Sequence, residues 1–227
     1  PYALYRALAR LGGPNALPPD VGEWFQRKRE LEAGIQGPYG LNDSLAVTNW
    51  LLLGYFPAPP DDDGLGADYL QGAGGEPRHV PDRKLEVETG RGDKAKWMPY
   101  NAPDSKVNFY DVEHLGLEDG EVDAVLYAAC WLKADANTEV ELRVDTGDDW
   151  GRVYLDHEPL EEHEPSTWES GRNDGYKVKL EEGLHMLMIK MAGTLRPPGA
   201  GHAALFYLSV RVTDPGGSRP PGITVWN

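Results

Sequence analysis

Thr138-Glu-Val-Glu-Leu-Arg-Val-Asp145 decides the fold class. Val140, Leu142 and Val144 fall on one side of an extended chain, and Glu139, Glu141 and Arg143 on the other. Successive side chains of a strand point to opposite faces, so this alternation marks a half-buried β-strand. Phe206, Leu208, Val210 and Val212 repeat the pattern. Working outward, apolar or alternating runs predict further strands at 47–53, 94–100, 107–112, 122–133, 152–156, 175–180 and 184–191, with a short edge strand at 223–226. Between them stand turn signals: Glu118-Asp119-Gly120, Thr146-Gly147-Asp148-Asp149, Asn173-Asp174-Gly175 and Glu181-Glu182-Gly183. Many short strands with frequent turns and no intervening helices predict an antiparallel sandwich and exclude parallel α/β folds.

The first residues read differently. In Tyr2-Ala-Leu-Tyr-Arg-Ala-Leu-Ala-Arg-Leu11, Leu4, Leu8 and Leu11 are spaced as on one helix face, and Gly12-Gly13-Pro14 ends the run. Asp20 and Glu23 form a capping-box pattern for a second helix striped with Trp24, Phe25, Leu31 and Ile35. The expected organisation is a short two-helix segment at 1–40, either a leader or the tail of a preceding domain, and one sandwich at 41–227. Such helices suit contact with a neighbouring domain or subunit. The chain opens on Pro1 rather than Met, which reads as a processed product or an excised piece.

Composition narrows the partners. The 227 residues carry 22 basic and 37 acidic side chains, a formal charge of −15. Phosphate binding needs clustered Lys and Arg, so a nucleic-acid partner is not expected, nor is docking on an anionic membrane. No apolar run has the length of a membrane span. The 27 Gly and 19 Pro make up about a fifth of the chain, well over the usual roughly 12%. Many of them fall in 57–83, a stretch without period whose length marks a functional or disordered loop. Its Asp61-Asp62-Asp63 lacks EF-hand spacing and reads as a solvated run. Cys130, alone in the chain, lies in Val125-Leu-Tyr-Ala-Ala-Cys-Trp-Leu132 and reads as a buried thiol. Trp50 and Trp97 read as core, Met186, Met188 and Met191 as core filler, and His185 and His202 as surface or satisfied core groups.

Two stretches are candidates for chemistry. In Val144-Asp-Thr-Gly-Asp-Asp-Trp-Gly-Arg-Val-Tyr-Leu-Asp-His-Glu-Pro-Leu160 a strand ends in an acidic turn and a second strand follows. Asp148 and Asp149 admit two readings: turn-forming side chains that accept backbone N–H bonds, or paired carboxylates for Ca2+ or sugar hydroxyls. Trp150 beside them offers an indole face for a pyranose, or folds onto the sandwich edge. The second stretch, 157–175, holds Trp168, Arg172, Asn173 and Asp174 as one wall of a ligand site, with the bland reading a polar loop. His157 and His163 are six apart and do not match a helical zinc pair. No nucleophile elbow, phosphate-binding loop or metalloprotease helix is present. Asn42-Asp43-Ser44 is a formal glycosylation sequon.

Taken in order, Asn49-Trp-Leu-Leu-Leu-Gly-Tyr-Phe-Pro57, Lys96-Trp97, the acidic turn, the hairpin Val178-Lys-Leu-Glu-Glu-Gly-Leu-His-Met-Leu-Met-Ile-Lys-Met191 and Ala203-Ala-Leu-Phe-Tyr-Leu-Ser-Val-Arg-Val212 resemble galactose-binding-like jelly-roll modules of bacterial extracellular glycosidases and lyases. The resemblance covers about 46–214. The acidic turn also resembles that of the PA14 sandwich, where adjacent aspartates hold calcium and a sugar. Two departures stand out. Trp150 separates the Asp pair from Gly151, and Asp156-His157-Glu158 replaces an Asn/Asp-Gly turn. The resemblance implies a mainly β jelly roll, an extracellular or cell-surface location and a non-catalytic carbohydrate-binding or accessory role toward a polysaccharide or glycan. Ca2+ would sit at Asp148 and Asp149. The alternatives are a structural subunit of a surface layer, filament or scaffold and, less favoured, a glycan-active hydrolase.

Overall fold

The computed structural model describes residues 34–59, 64–112, 115, 122–147, 150–162, 174–195 and 206–227. Of the two-helix segment expected at 1–40, residues 1–33 lie outside them, and 34–40, Ile35 included, are described and are not helical. Among the described residues there is no α-helix, and thirteen strands form: β1 (Asn49–Pro57), β2 (Glu86–Glu88), β3 (Lys94–Lys96), β4 (Met98–Asn101), β5 (Val107–Asn108), β6 (Val122–Ala134), β7 (Thr138–Asp145), β8 (Trp150–Leu155), β9 (Glu158–Glu162), β10 (Asp174–Leu180), β11 (Gly183–Leu195), β12 (Tyr207–Thr213) and β13 (Ile223–Trp226).

They make a seven-stranded sheet in the order β4-β1-β6-β11-β8-β9, with β13 also on β6, and a four-stranded sheet β10-β7-β12-β5. β2 and β3 pair apart. The pairings are antiparallel throughout, as the sequence predicts. The alternation at 138–145 does what the pattern requires. Val140, Leu142 and Val144 face the core shared by the two sheets, where they meet Leu126, Ala128, Cys130 and Leu132 of β6 and Leu187, Ile189 and Met191 of β11.

β6 and β11 do not alternate in the sequence, and the reason is structural. The outer face of the large sheet is covered too. Val125, Tyr127, Ala129 and Trp131 of β6 and Met186 and Met188 of β11 pack against Leu65, Leu70, Val80, Val87, Ala95 and Trp97. A strand buried on both faces has no solvent side to make polar, so its sequence reads as one apolar run. The cover is the stretch from 64 to 97, much of which the sequence presents as an unstructured loop.

Three local departures follow from packing. The strand expected at 94–100 breaks at Trp97, which is fully buried: β3 pairs with β2, and β4 pairs with β1. The strand expected at 47–53 begins at Asn49, because Val47 N bonds Val210 O of β12 before the chain crosses to the large sheet. Asp156 and His157, with φ of 51° and 74°, form the two-residue turn of the β8–β9 hairpin. Positive φ at both positions is the geometry that usually selects Asn-Gly, so the replaced turn residues keep the turn. Tyr39 pairs with Val225, so the chain ahead of β1 lies alongside β13.

Pro99 lies in edge strand β4 and Pro159 in edge strand β9. Lys177 and Lys179 stand exposed on edge strand β10. Proline removes a ladder donor and lysine resists burial, so these edges are poor templates for another strand.

Candidate functional site

Strand registers gather the longer connections at one end of the sandwich. In the large sheet, Leu195 at the end of β11 pairs with Val122 at the start of β6. Ala192 pairs with Trp150 at the start of β8, and Pro57 at the end of β1 with Ala124. In the small sheet, Val144 near the end of β7 pairs with Asp174 at the start of β10, and Asp145 with Ser209 near the start of β12. Only 146–149 separate β7 from β8, so the two sets of strand ends belong to the same edge. The opposite end carries the short turns at 135–137, 156–157 and 181–182 and the nine-residue connection 214–222.

The chain between those strand ends is strongly acidic. The segments 60–63, 113–121, 148–149, 163–173 and 196–205 hold eleven carboxylates and two arginines, so −9 of the formal −15 sits in 36 of the 227 residues. Among the strand ends themselves, the Tyr207 hydroxyl donates to both Asp145 oxygens at 2.9 Å. The Lys106 ammonium lies 3.9 Å from the centre of the Tyr207 ring. Thr194 Oγ1 donates to Asp123 Oδ1 at 2.7 Å.

Two of the residues selected from the sequence fall at this end. Trp150 opens β8 and Asp174 opens β10, two strand starts at this end. Asp148, Asp149, Trp168, Arg172 and Asn173 lie outside the described residues, as do His163, His202 and Asp61-Asp62-Asp63. Among the described residues no group of three or more His, Cys, Asp or Glu is arranged to hold a metal. The same residues contain no helix long and apolar enough to cross a membrane. Trp50, Trp97, Cys130, Met186, Met188 and Met191 are buried as expected, and burial pushes the Cys130 thiol far above its usual pKa.

His185 is buried rather than exposed. Its Nδ1 lies 2.7 Å from Asp156 Oδ2 and its Nε2 2.7 Å from Glu181 O. This pair ties the β8–β9 turn to β11 at the opposite end.

A second polar cluster, which sequence reasoning misses, lies under the covering stretch. Lys190 of β11 is fully buried. Its Nζ donates to Leu65 O at 2.9 Å, to Ala67 O and to Glu76 Oε1 at 2.9 Å. Tyr127 OH donates to Glu76 Oε1 at 2.5 Å, and Tyr154 OH to Oε2 at 2.6 Å. Three acceptors around one Nζ are all satisfied only by the ammonium form. Burial lowers the Lys190 pKa, and the Glu76 charge works against that fall. Burial and the Glu76 carboxylate raise the Tyr127 and Tyr154 phenols far above their usual value, so both remain donors. A single Lys in the apolar run Leu184–Gly193 is the one trace of this cluster in the sequence. Nearby, Trp97 Nε1 donates to His79 Nε2 at 2.7 Å, which leaves the proton on Nδ1, 3.3 Å from Ala73 O.

No family profile matches the chain, and no curated protein does. Among solved structures, a β-glucosidase from Kluyveromyces marxianus aligns over 79% of this chain and 19% of its own, at 11% identity and a TM-score of 0.42. The same enzyme in complex with glucose aligns over 52% and 14%, at 12% identity and a TM-score of 0.37. A GH31 α-xylosidase from Xanthomonas citri aligns over 65% and 18%, at 12% identity and a TM-score of 0.32. The chain spans less than a fifth of the length of each. Alignments this loose say nothing of activity or ligand. What stands is an antiparallel β-sandwich, with its longer connections rooted at one end.

Proposed function

We propose that this chain is a non-catalytic carbohydrate-binding or accessory module of an extracellular protein, built as a galactose-binding-like jelly roll. One observation carries the reading: the strand ends that flank every residue selected from the sequence meet at one end of the sandwich. A loop-bearing end on a rigid scaffold is where such domains place their recognition residues. Trp150 and Trp168 supply the stacking faces. Arg172, Asn173 and Asp174 bond sugar hydroxyls, and Asp148 and Asp149 bond hydroxyls or hold Ca2+. The alternative is a structural subunit of a surface layer, filament or scaffold that reaches its neighbour through the N-terminal segment and the Pro-rich stretch 57–83; strand-to-strand assembly is opposed by sheet edges that carry Pro99, Pro159, Lys177 and Lys179.

Affinity electrophoresis and a glycan array test the proposal. Binding to at least one polysaccharide is expected, lost in Trp150→Ala or Trp168→Ala while the far-ultraviolet circular dichroism is unchanged. Failure of the parent protein to bind any polysaccharide, with and without Ca2+, overturns it.

A further inference from the structure

The covering stretch is attached to the sheet in an unusual way. Local backbone bonds shape it: Ala73 N to Leu70 O, Gly75 N to Leu70 O and Arg78 N to Gly75 O, and no residue of 64–82 belongs to a strand. Asp68 serves the same local order, accepting from Leu70 N at 2.9 Å and from Glu76 N at 3.1 Å. The ties to the sheet below are made by side chains. Lys190 reaches up from β11 to two carbonyls and one carboxylate, and Tyr127 of β6 and Tyr154 of β8 close on the same carboxylate. Three neighbouring strands therefore converge on Glu76. Beneath lies an apolar surface of Leu51, Leu53, Val125, Ala129, Trp131 and Met188.

We propose that the Glu76–Lys190 ion pair is a latch, holding residues 64–82 as a strap that opens as its own unit over the apolar outer face of the large sheet. A segment that contributes no strand takes no sheet ladder with it when it lifts, so the sandwich stays folded while the strap is open. Such separable units, each with its own opening free energy, are general in proteins. Breaking one side of the pair leaves a buried charge without its counter-ion. That penalty is far larger than the net value of the intact pair. The latch acts by making the closed strap the one position in which both charges are answered.

Hydrogen exchange followed by mass spectrometry tests this without any ligand, so its outcome is independent of carbohydrate binding. The variants are Lys190→Met, Glu76→Gln, the double variant and Tyr154→Phe. In each single charge variant, peptides from 64–82 are expected to lose protection by about 100-fold or more. Peptides from β6 and β11 keep theirs, and a hydrophobic dye begins to bind. The double variant recovers much of the loss, because neither charge is then stranded. Tyr154→Phe keeps the ion pair and removes one donor to the carboxylate, so the strap alone loses about 10-fold. It decides the matter if the charge variants do not fold. Strap protection unchanged in these variants, or lost in step with the sheet, overturns the proposal.

Discussion

Changing His79 to Gln isolates one buried proton equilibrium. His79 is 1% exposed, and burial lowers its pKa from the ordinary 6.5, with the Ala73 carbonyl and the Asp68 and Asp82 charges opposing the shift. The neutral ring suits its partners: Nε2 accepts from Trp97 at 2.7 Å. In the unfolded chain His79 takes up a proton as pH falls through 6.5, whereas the folded chain resists it. Stability is therefore present above 6.5 and is lost below it, as unfolding gains a bound proton. The slope from one group is at most about 1.4 kcal/mol per pH unit, or about 2 kcal/mol between pH 6.5 and 5. His79→Gln keeps an acceptor for the Trp97 indole and does not titrate. Urea unfolding of both proteins at steps from pH 7.5 to 5 gives the difference between them. Carboxylates elsewhere titrate in both and cancel. The wild type is expected to lose stability relative to the variant as pH falls. Parallel curves, or a wild type that gains on the variant at low pH, refute the reasoning.

Gly64 has φ of +80°, and a Cβ added there would stand 2.5 Å from Val125 Cγ2. Gly64→Ala therefore combines a left-handed backbone with overpacking and is expected to cost about 2–4 kcal/mol in denaturant unfolding. Gly66, whose added Cβ meets nothing within 4 Å, is the control. If the acidic end binds sugar as proposed, neutral polysaccharides are retained with little salt dependence. Polyuronates are excluded at low ionic strength and less so near 1 M, where screening shortens to about 3 Å. Tighter binding of polyuronates at low salt would contradict this.

Where one face of a strand is wet, the sequence is easy to read. Thr138–Asp145 declares its buried side by alternation; Tyr207–Thr213 alternates too, although Ser209 and Thr213 on its other face are buried and Arg211 alone is exposed. β6 declares itself as an apolar run but does not say what covers its second face. That cover is built from scattered residues, Leu65, Leu70, Val80 and Trp97, among glycines and prolines with no period to betray them. The polar cluster was harder still. Glu76 lies 51 residues from Tyr127 and 78 from Tyr154, and sequence spacing says nothing of such meetings. At the loop end, strand pairing accounts for why Trp150 and Asp174 stand near one edge, while the acidic turn and Trp168 lie beyond what the fold describes.

The pairing of β6 has a consequence for biosynthesis. One flank of β6 is completed by β1 at Ala124–Ala129 and, further along, by β13 at Trp131–Ala134, while β11 takes the other flank. The central strand is thus joined to partners from both extremes of the described chain. A ribosome delivers β1 and β6 long before Val225, which is fully buried in the shared core. Contacts of such wide sequence separation fold slowly. Until residue 226 has emerged, β6 carries an open ladder beside Trp131, the kind of edge on which nascent chains aggregate. From the emergence of β6 to that of β13 the large sheet stays incomplete, and β13 closes it.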